Sequence, residues 1–363
     1  MKKLLQRWSD SLHISWVIAW KDIIDAFKNR ATRINIIVLL GLVGFFYWGL
    51  TLRPFDKDIE MVVYDQGNSE LDLDRTKLGD GSVLIFSEAS SLEEMKRKMR
   101  YEEAGLVLPA DLDQTLASTG EITISGYILW GRRSQVVELE STYSAQLTEL
   151  LGRPVQVRIE EDFVLPTPNS SGAASTAGFH ILLAVLWIGI SVVPHLIFEE
   201  NKAKTLDALL VSPATAGQVV LGKAMAGAFY IALAGGLAVL LNRAYVIHWS
   251  LVLLGFACSA LFSIALALAI GAFVQTPVQF ALATQPIVFL LIVPAFFAHD
   301  PNLAAGVKTV ISWLPATALS HLIGLGMSSP APLNQLGRDL AVSLSSTFLV
   351  YALVVWKMRR ADR

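Results

Sequence analysis

Long apolar stretches without charged residues alternate along this chain with short charged segments. A helix needs about 20 apolar residues to cross a bilayer, and a charge at its centre costs at least about 2.5–3.5 kcal/mol. The run at 244–299 is long enough for two helices and breaks at 275–279, so we predict six spans. The charge-free runs lie at 34–52, 170–198, 224–242, 244–299 and 340–356.

One further charge-free stretch, 309–328, is ambiguous because it contains Pro315, Gly324 and Gly326. Counting it as a seventh span would separate the basic N-terminal segment from the basic C-terminal tail. The positive-inside rule favours placing both on the cytoplasmic side, together with the basic loop at 199–223. We therefore expect the segment near 300–337 to contain a re-entrant or surface element on the outer side.

A hydrophilic region separates the first two predicted spans. Residues 53–163 carry 12 Lys/Arg and 22 Asp/Glu, a net charge of −10. Alternating apolar residues and helical periodicity predict a small α/β domain with its linker over 53–170. We expect strands near 59–64, 83–86, 105–108, 121–129 and 155–164, and helices near 91–103 and 132–151.

The composition supports a membrane protein. Of the 363 residues, 53% are hydrophobic and 17% are charged, against about 25% charged residues in a typical soluble domain. The mean hydropathy is +0.51. One cysteine excludes a disulfide framework and a cysteine zinc site. No basic domain is present, so we expect no nucleic-acid partner.

The basic segment 1–33 precedes the first span, 34–52. Its charged and apolar parts are too long for a cleavable signal peptide, so we expect an anchor with a cytoplasmic N-terminus. Between 12 and 30, apolar residues recur at helical spacing and predict an interfacial helix. A helix packed on the protein's own cytoplasmic face is an alternative that is compatible with this. The apolar positions are Trp16, Trp20, Ile23, Ile24 and Phe27.

The loop at 199–223 carries the most specific pattern. Leu206, Leu209 and Leu210 share one face of a short helix, which Pro213 ends. Thr215 with Gln218 predicts a capping box for the next helix. A short apolar-faced helix joined to two spans suits docking to a cytoplasmic partner; an ordinary interfacial helix-turn-helix is the alternative.

This loop resembles the loop between the second and third spans of the type-2 ATP-binding-cassette (ABC-2) transporter permeases. The whole layout resembles the branch of that family with a large ectodomain after the first span. The loop residues that carry the resemblance are Glu199, Glu200, Thr205, Leu206, Asp207, Leu209, Leu210, Pro213 and Lys223. Trp313, Pro315 and Thr317 resemble the family's external segment before the last span.

The resemblance implies an α-helical integral membrane protein with six transmembrane helices and an extracytoplasmic α/β domain. It implies a bacterial inner-membrane exporter permease, both of whose termini, including the tail 357–363, are cytoplasmic. A separate ABC ATP-binding subunit would hold ATP and Mg, because this chain shows no catalytic residue, cofactor or metal site. A second permease chain, identical or paralogous, would complete the pathway, and membrane lipid and an envelope adaptor are further candidate partners.

Other interpretations compete with this one. Residues 217–224 resemble a phosphate-binding loop, but Ala224 replaces the required hydroxyl residue and no strand precedes it. An ion-driven carrier would show inverted repeats and mid-membrane charges, and these spans show neither. His180 and His195 fit polar anchors near span ends better than a proton path. The main alternative is a non-transporting scaffold or sensor that displays the acidic domain.

Overall fold

A computed structural model describes most of the chain as an α/β domain and a bundle of long apolar helices. The first predicted span, 34–52, and loop residues 204–214 lie mostly or wholly outside the described residues. The described parts are 2–28, scattered positions of 30–45, 58–67, 69, 76–78, 83–99, 104–117, 122–167, 173–203, 215–274, 276–300 and 303–361.

A six-stranded mixed sheet forms the centre of the α/β domain, in the order β2-β3-β1-β4-β5-β6. Strand β1 pairs in parallel with β3 and β4, and β5 pairs in parallel with β6. The β2–β3 and β4–β5 pairs are antiparallel. The strands are β1 Asp58–Asp65, β2 Thr76–Lys77, β3 Val83–Ala89, β4 Ala104–Leu108, β5 Ile122–Ile128 and β6 Val155–Ile159.

Three helices accompany the sheet: α2 Leu92–Lys98, α3 Leu112–Ala117 and α4 Val136–Leu151. Tyr143 and Leu147 of α4 are buried against the sheet. They are four residues apart and therefore lie on the same face of the helix. Helix α4 ends at Gly152, whose φ of 66° places it in the left-handed region that glycine adopts without strain. A 3-10 turn at Trp130–Gln135 leads into α4.

Strand β6 is an edge strand whose outward N–H groups are bonded by side chains of α4. Three acceptors four residues apart share one face of the helix. Unpaired strand edges are templates for pairing with other chains, so these side chains close this edge of the sheet. The N–H groups of Val155, Val157 and Ile159 donate to Thr148 Oγ1, Ser144 Oγ and Glu140 Oε1 at 3.0, 2.8 and 2.8 Å.

Five helices in the described part of the chain are long and apolar enough to cross a membrane. Helix α5 is the central one, because 78% of its most apolar window is buried, against 12% in α8 and 22% in α11. Close packing depends on small residues: Ser263 of α7 lies against Gly189 of α5 and donates to Val185 O at 3.1 Å. The five are α5 Ala173–Ala203, α6 Ala216–Leu241, α7 Trp249–Phe273, α8 Pro277–Phe297 and α11 Leu333–Ala361.

The α/β domain is docked on one end of the bundle. Trp130 Nε1 donates to Val246 O at 3.4 Å, in the connection between α6 and α7. The Arg133 guanidinium lies 4.1 Å from the Trp130 ring and also donates to Ala244 O. Burial there lowers the pKa of Arg133. Helix α1, Lys2–Lys28, packs on the start of α6 and therefore lies at the opposite end of the bundle.

The predicted external segment, 309–328, consists of two short helices, α9 Ala305–Ile311 and α10 Pro315–Leu325. Helix α10 is buried among α5, α7, α8 and α11. After α10, Gly326 O accepts hydrogen bonds from Ile247 and His248, and Ser329 N donates to Pro166 O at 2.8 Å. The segment thus returns to the end of the bundle on which the α/β domain lies.

The last span differs from its predicted bounds. We expected it at 340–356, with Arg338 and Asp339 outside it, but α11 begins at Leu333 and contains both residues. The Arg338 guanidinium donates two hydrogen bonds to Asp339 Oδ1, at 2.9 and 3.0 Å. The two residues together therefore add little net charge to the helix. Strand β2 and helix α3 were not predicted, because two and six residues carry too little periodicity.

The closed edge of β6 generates a test. Ser144→Ala would leave the buried Val157 N–H without its acceptor and weaken the edge by about 1 kcal/mol. We therefore expect amide hydrogen exchange in 155–159 to be about fivefold faster in the full-length protein. Ser141→Ala is the matched control, because that hydroxyl donates to Glu138 O on the exposed face of the same helix. Unchanged exchange in Ser144→Ala would contradict the closure.

Candidate coupling site

The candidate site is the junction between helix α1 and the start of α6, which directly follows the predicted docking loop. Helix α1 presents two faces. Ile18, Ala19, Ile23 and Ala26 recur at helical spacing and are buried on the side of the bundle. The other face keeps large apolar side chains exposed, and the Trp16 and Trp20 rings stack at 6.4 Å.

The five apolar residues from which the interfacial helix was predicted differ in their exposure to solvent. Trp16, Trp20, Ile24 and Phe27 are between 38% and 54% exposed, whereas Ile23 is 5% exposed and packs inward. The inner face of this helix packs on the protein, and its outer face carries exposed aromatic side chains of the kind found at membrane interfaces, so its interfacial position stays a prediction.

A buried ion pair joins the two helices. Lys223 Nζ of α6 lies 3.5 Å from Asp22 Oδ2 of α1, and their side chains are 4% and 5% exposed. Removing either side chain would take this contact away from a charge that is withdrawn from water, which is strongly destabilising. The junction is therefore specific in register as well as tightly packed.

Three further contacts fix α1 along α6. Tyr230 OH donates to Ile23 O at 2.6 Å, and Gln218 Nε2 donates to Ser11 Oγ at 3.1 Å. Gly222 allows close approach, because a Cβ there would lie 2.9 Å from Ser15 O. Contacts are thus distributed over more than three turns of α6, from Gln218 to Tyr230. Two helices held at several levels move as one body.

The start of α6 confirms the predicted capping box. Thr215 Oγ1 accepts from Gln218 N at 3.4 Å, and Gln218 Oε1 accepts from Thr215 N at 2.8 Å. The sequence that resembles a phosphate-binding loop, 217–224, lies inside the regular helix α6. Such a loop cradles phosphates with non-helical backbone N–H groups, so this segment has the wrong conformation for nucleotide.

The predicted docking helix itself lies outside the described residues: Thr205, Leu206, Asp207, Leu209, Leu210 and Pro213. Glu199 and Glu200 lie in the last turns of α5, but their side chains also fall outside the described part. The described structure therefore gives the two helices that flank this loop, α5 before it and α6 after it. Its role remains a prediction.

The residues of the predicted external segment lie at the other end of the bundle. Trp313 is 62% exposed in the break between α9 and α10, Pro315 is the first residue of α10, and Thr317 is buried. Proline at that position suits a helix start, because its missing N–H has no partner there anyway. The structure does not bring these residues near the α1–α6 junction. In the described residues no cluster of three His, Cys, Asp or Glu side chains could hold a metal ion.

Sequence reasoning missed Asp22 and Tyr230, and it assigned Lys223 only as the start of a span. A signal existed for the ion pair. Lys223 lies within an apolar helical stretch, and Asp22 falls on the same helical face as Ile18, Ala19 and Ala26. Two opposite charges on otherwise apolar faces indicate a buried pair, but nothing in the sequence says which two helices meet.

The sequence of this chain matches a known family of membrane proteins. Residues 31–356 match the family model of the ABC-2 family transporter protein. Two curated relatives, both described as "Probable multidrug ABC transporter permease YbhR", come from Escherichia coli strain K12 and Escherichia coli O157:H7. Each is 26% identical over 238 residues, covering 59% of this chain and 60% of the relative. The chain therefore spans less than two thirds of the length of these relatives.

A double-mutant cycle on the buried ion pair tests the junction. We expect Asp22→Ala to destabilise the protein by about 3–5 kcal/mol, because the buried Lys223 loses its carboxylate contact. The double variant Asp22→Ala/Lys223→Met should recover most of that loss. Thermal unfolding in lipid nanodiscs measures both.

Asp25→Ala is the control for that cycle, because Asp25 is an exposed acid one turn further along α1. Additive effects of the Asp22 and Lys223 substitutions would contradict a functional contact between the two side chains.

Proposed function

Because the matched region covers most of its length, this chain belongs to the ABC-2 family of transporter proteins, and we propose that it is the permease subunit of an ATP-driven exporter. It would take its energy from a separate ABC ATP-binding subunit, which would bind ATP and Mg. The chain itself would carry out no covalent chemistry. The observation that carries the proposal is the α1–α6 junction at the end of the predicted docking loop.

The junction supplies a mechanical route. A subunit that docks on 205–213 would displace a helix connected through Thr215 to α6. Since α6 is joined to α1 by the buried ion pair and by Tyr230, a push on the loop would move both helices together. ATP binding would then bias the bundle between inward-open and outward-open states, as a ligand that binds one of two states more tightly always does.

The outer surface of the bundle supports an assembly within the membrane. Helices α8 and α11 expose many large apolar side chains, and an apolar surface of this extent is unfavourable in contact with water. We propose that lipid covers part of this surface and that a second permease chain, identical or paralogous, covers the rest. Exposed examples are Val278, Leu282, Phe289, Leu290, Phe348 and Leu349, each between 66% and 71% exposed.

The proposed cargo is drug-like, lipid-like or otherwise amphipathic. The candidate spans from 174–194 to 278–297 contain one Lys or Arg, the paired Lys223, and no Asp or Glu, so few fixed charges are present to select an ion. The relatives named above are described as multidrug permeases. We propose the bacterial inner membrane as the site, with α1 on the cytoplasmic side and the α/β domain outside, where an envelope adaptor is a further candidate partner.

The competing function is a membrane scaffold or sensor that displays the acidic domain without transport. That function requires no nucleotide-hydrolysing partner and gives 205–213 no special role. The two proposals therefore differ in whether an ATP-binding subunit must be bound to this loop.

The docking loop generates the decisive test. We expect Leu209→Asp to weaken association with a co-expressed ABC ATP-binding subunit by about 30-fold, because it places a charge in an apolar contact. The measurement is co-purification together with ATP hydrolysis by the reconstituted complex.

Val137→Asp is the matched control, because it places the same charge at an 81% exposed apolar residue of the α/β domain. Retained ATPase binding in Leu209→Asp, or its equal loss in Val137→Asp, would contradict docking at this loop and favour the scaffold.

A further inference from the structure

A second polar cluster lies at the end of the bundle on which the α/β domain is docked. It joins three helices. His299, just after α8, has its Nε2 3.1 Å from Ser320 Oγ of α10, and its ring lies 5.5 Å from the ring of His321. His321 Nδ1 in turn lies 3.7 Å from Asp339 Oδ2 of α11. We call His299, Ser320, His321 and Asp339 the outer cluster.

Burial makes this cluster unusual. The side chain of Asp339 is completely buried, that of His321 is 10% exposed, and Ser320 is buried. Among the described residues, His321 Nδ1 and Asp339 Oδ2 have no hydrogen-bond partner. Polar atoms withdrawn from water without partners are costly, so this arrangement favours a change that would hydrate them.

Helix α10, which carries two members of the cluster, packs on neighbours through glycines. A Cβ at Gly255 of α7 would lie 2.8 Å from Ile323 N, and one at Gly178 of α5 would lie 3.3 Å from Gly324 N. The apolar side chains of Leu319, Leu322 and Ile323 complete this packing, and neither kind of contact has the fixed direction of a hydrogen bond. The polar contacts of the outer cluster are therefore the directional ones that hold α10 to α8 and α11.

We propose that the outer cluster is a latch that holds α10 in the bundle and that protons release it. The release follows from linkage. Burial lowers the pKa of His299 to about 4, from an ordinary value of about 6.5. His299 would therefore take up a proton only when it becomes exposed, so acid favours the exposed state.

The sign and range follow directly. Well above pH 6.5 His299 is mostly neutral in both states, and the latch has its full stability. As the pH falls through 6.5 towards 4, proton uptake in the exposed state progressively favours release. Between pH 7.5 and 5.5 the titration of His299 alone predicts a shift of about tenfold towards the released state, and His321, whose pKa burial also lowers, shifts it in the same direction.

Other titratable and charged groups lie on the elements that surround the cluster. Arg338 of α11 donates to Asp339 Oδ1 and offsets its charge. Asp300 follows His299 in the chain. Helix α5 contributes His180, next to Phe179, whose ring lies 5.4 Å from that of Phe296 in α8. The start of α7 contributes His248, whose N–H donates to Gly326 O after α10.

A cysteine reporter on α10 tests the latch in the full chain in lipid nanodiscs, without the ATP-binding subunit, so its outcome is independent of the proposed function. The reporter is Ala318→Cys in a Cys258→Ser background, since Ala318 is fully buried in α10 and Cys258 is the chain's single cysteine. A hydrophilic maleimide measures its exposure. Val137→Cys, exposed on α4, corrects for the pH dependence of thiol reactivity.

We expect the Ala318→Cys rate, divided by the Val137→Cys rate, to rise about tenfold or more between pH 7.5 and pH 5.5. Adding His299→Gln and His321→Gln together, which removes both titrating groups while the first can still bond Ser320, should abolish that rise. Adding Ser320→Ala should instead accelerate labelling already at pH 7.5. A ratio that does not change with pH, or a rise that persists in the His299→Gln/His321→Gln variant, would overturn the proposal.

Discussion

A carboxylate and an ammonium group that are both withdrawn from water determine how this protein is assembled. Desolvation of either charge costs several kcal/mol, and the contact between Asp22 and Lys223 offsets part of that cost for both. This requirement fixes the register of α1 on α6, which apolar packing alone would leave free to slide. The capping box at Thr215 and the Tyr230 hydrogen bond then complete a joint that has one geometry.

At the opposite end of the bundle, too, a buried carboxylate lies next to a basic side chain. Asp339 enters α11 only because Arg338 accompanies it, and burial lowers the pKa of the neighbouring His299. The two ends nevertheless differ in kind. The inner joint is a direct pair of opposite charges, whereas the outer cluster leaves polar atoms of His321 and Asp339 unbonded within the described structure. The ion pair of the α1–α6 junction therefore opposes separation of its helices, whereas hydration of the unbonded atoms would favour movement of α10.

Much of this architecture could be predicted because charges and long apolar runs are strong signals. The bounds of α5 to α8, the break near 276 and the main strands follow from them. The start of α11 could not be predicted, because a neighbouring arginine removes the penalty that should have excluded Asp339. The partner of Asp22 could not be predicted either, since Lys223 lies on a helix distant in sequence and their contact depends on close packing at small residues such as Gly222.

The docking of the α/β domain has a consequence for how events inside the membrane reach the outside. Trp130 and Arg133 donate hydrogen bonds to backbone carbonyls in the turn between α6 and α7. Pro166 O accepts a hydrogen bond from Ser329 N, in the connection before α11. A domain clamped at two points cannot swing freely on its tether. Any tilt of the α6–α7 turn would therefore tilt the whole domain, and the displacement would be largest at the edge of the sheet farthest from the bundle. The orientation of the domain would thus depend on the arrangement of the helices to which it is attached.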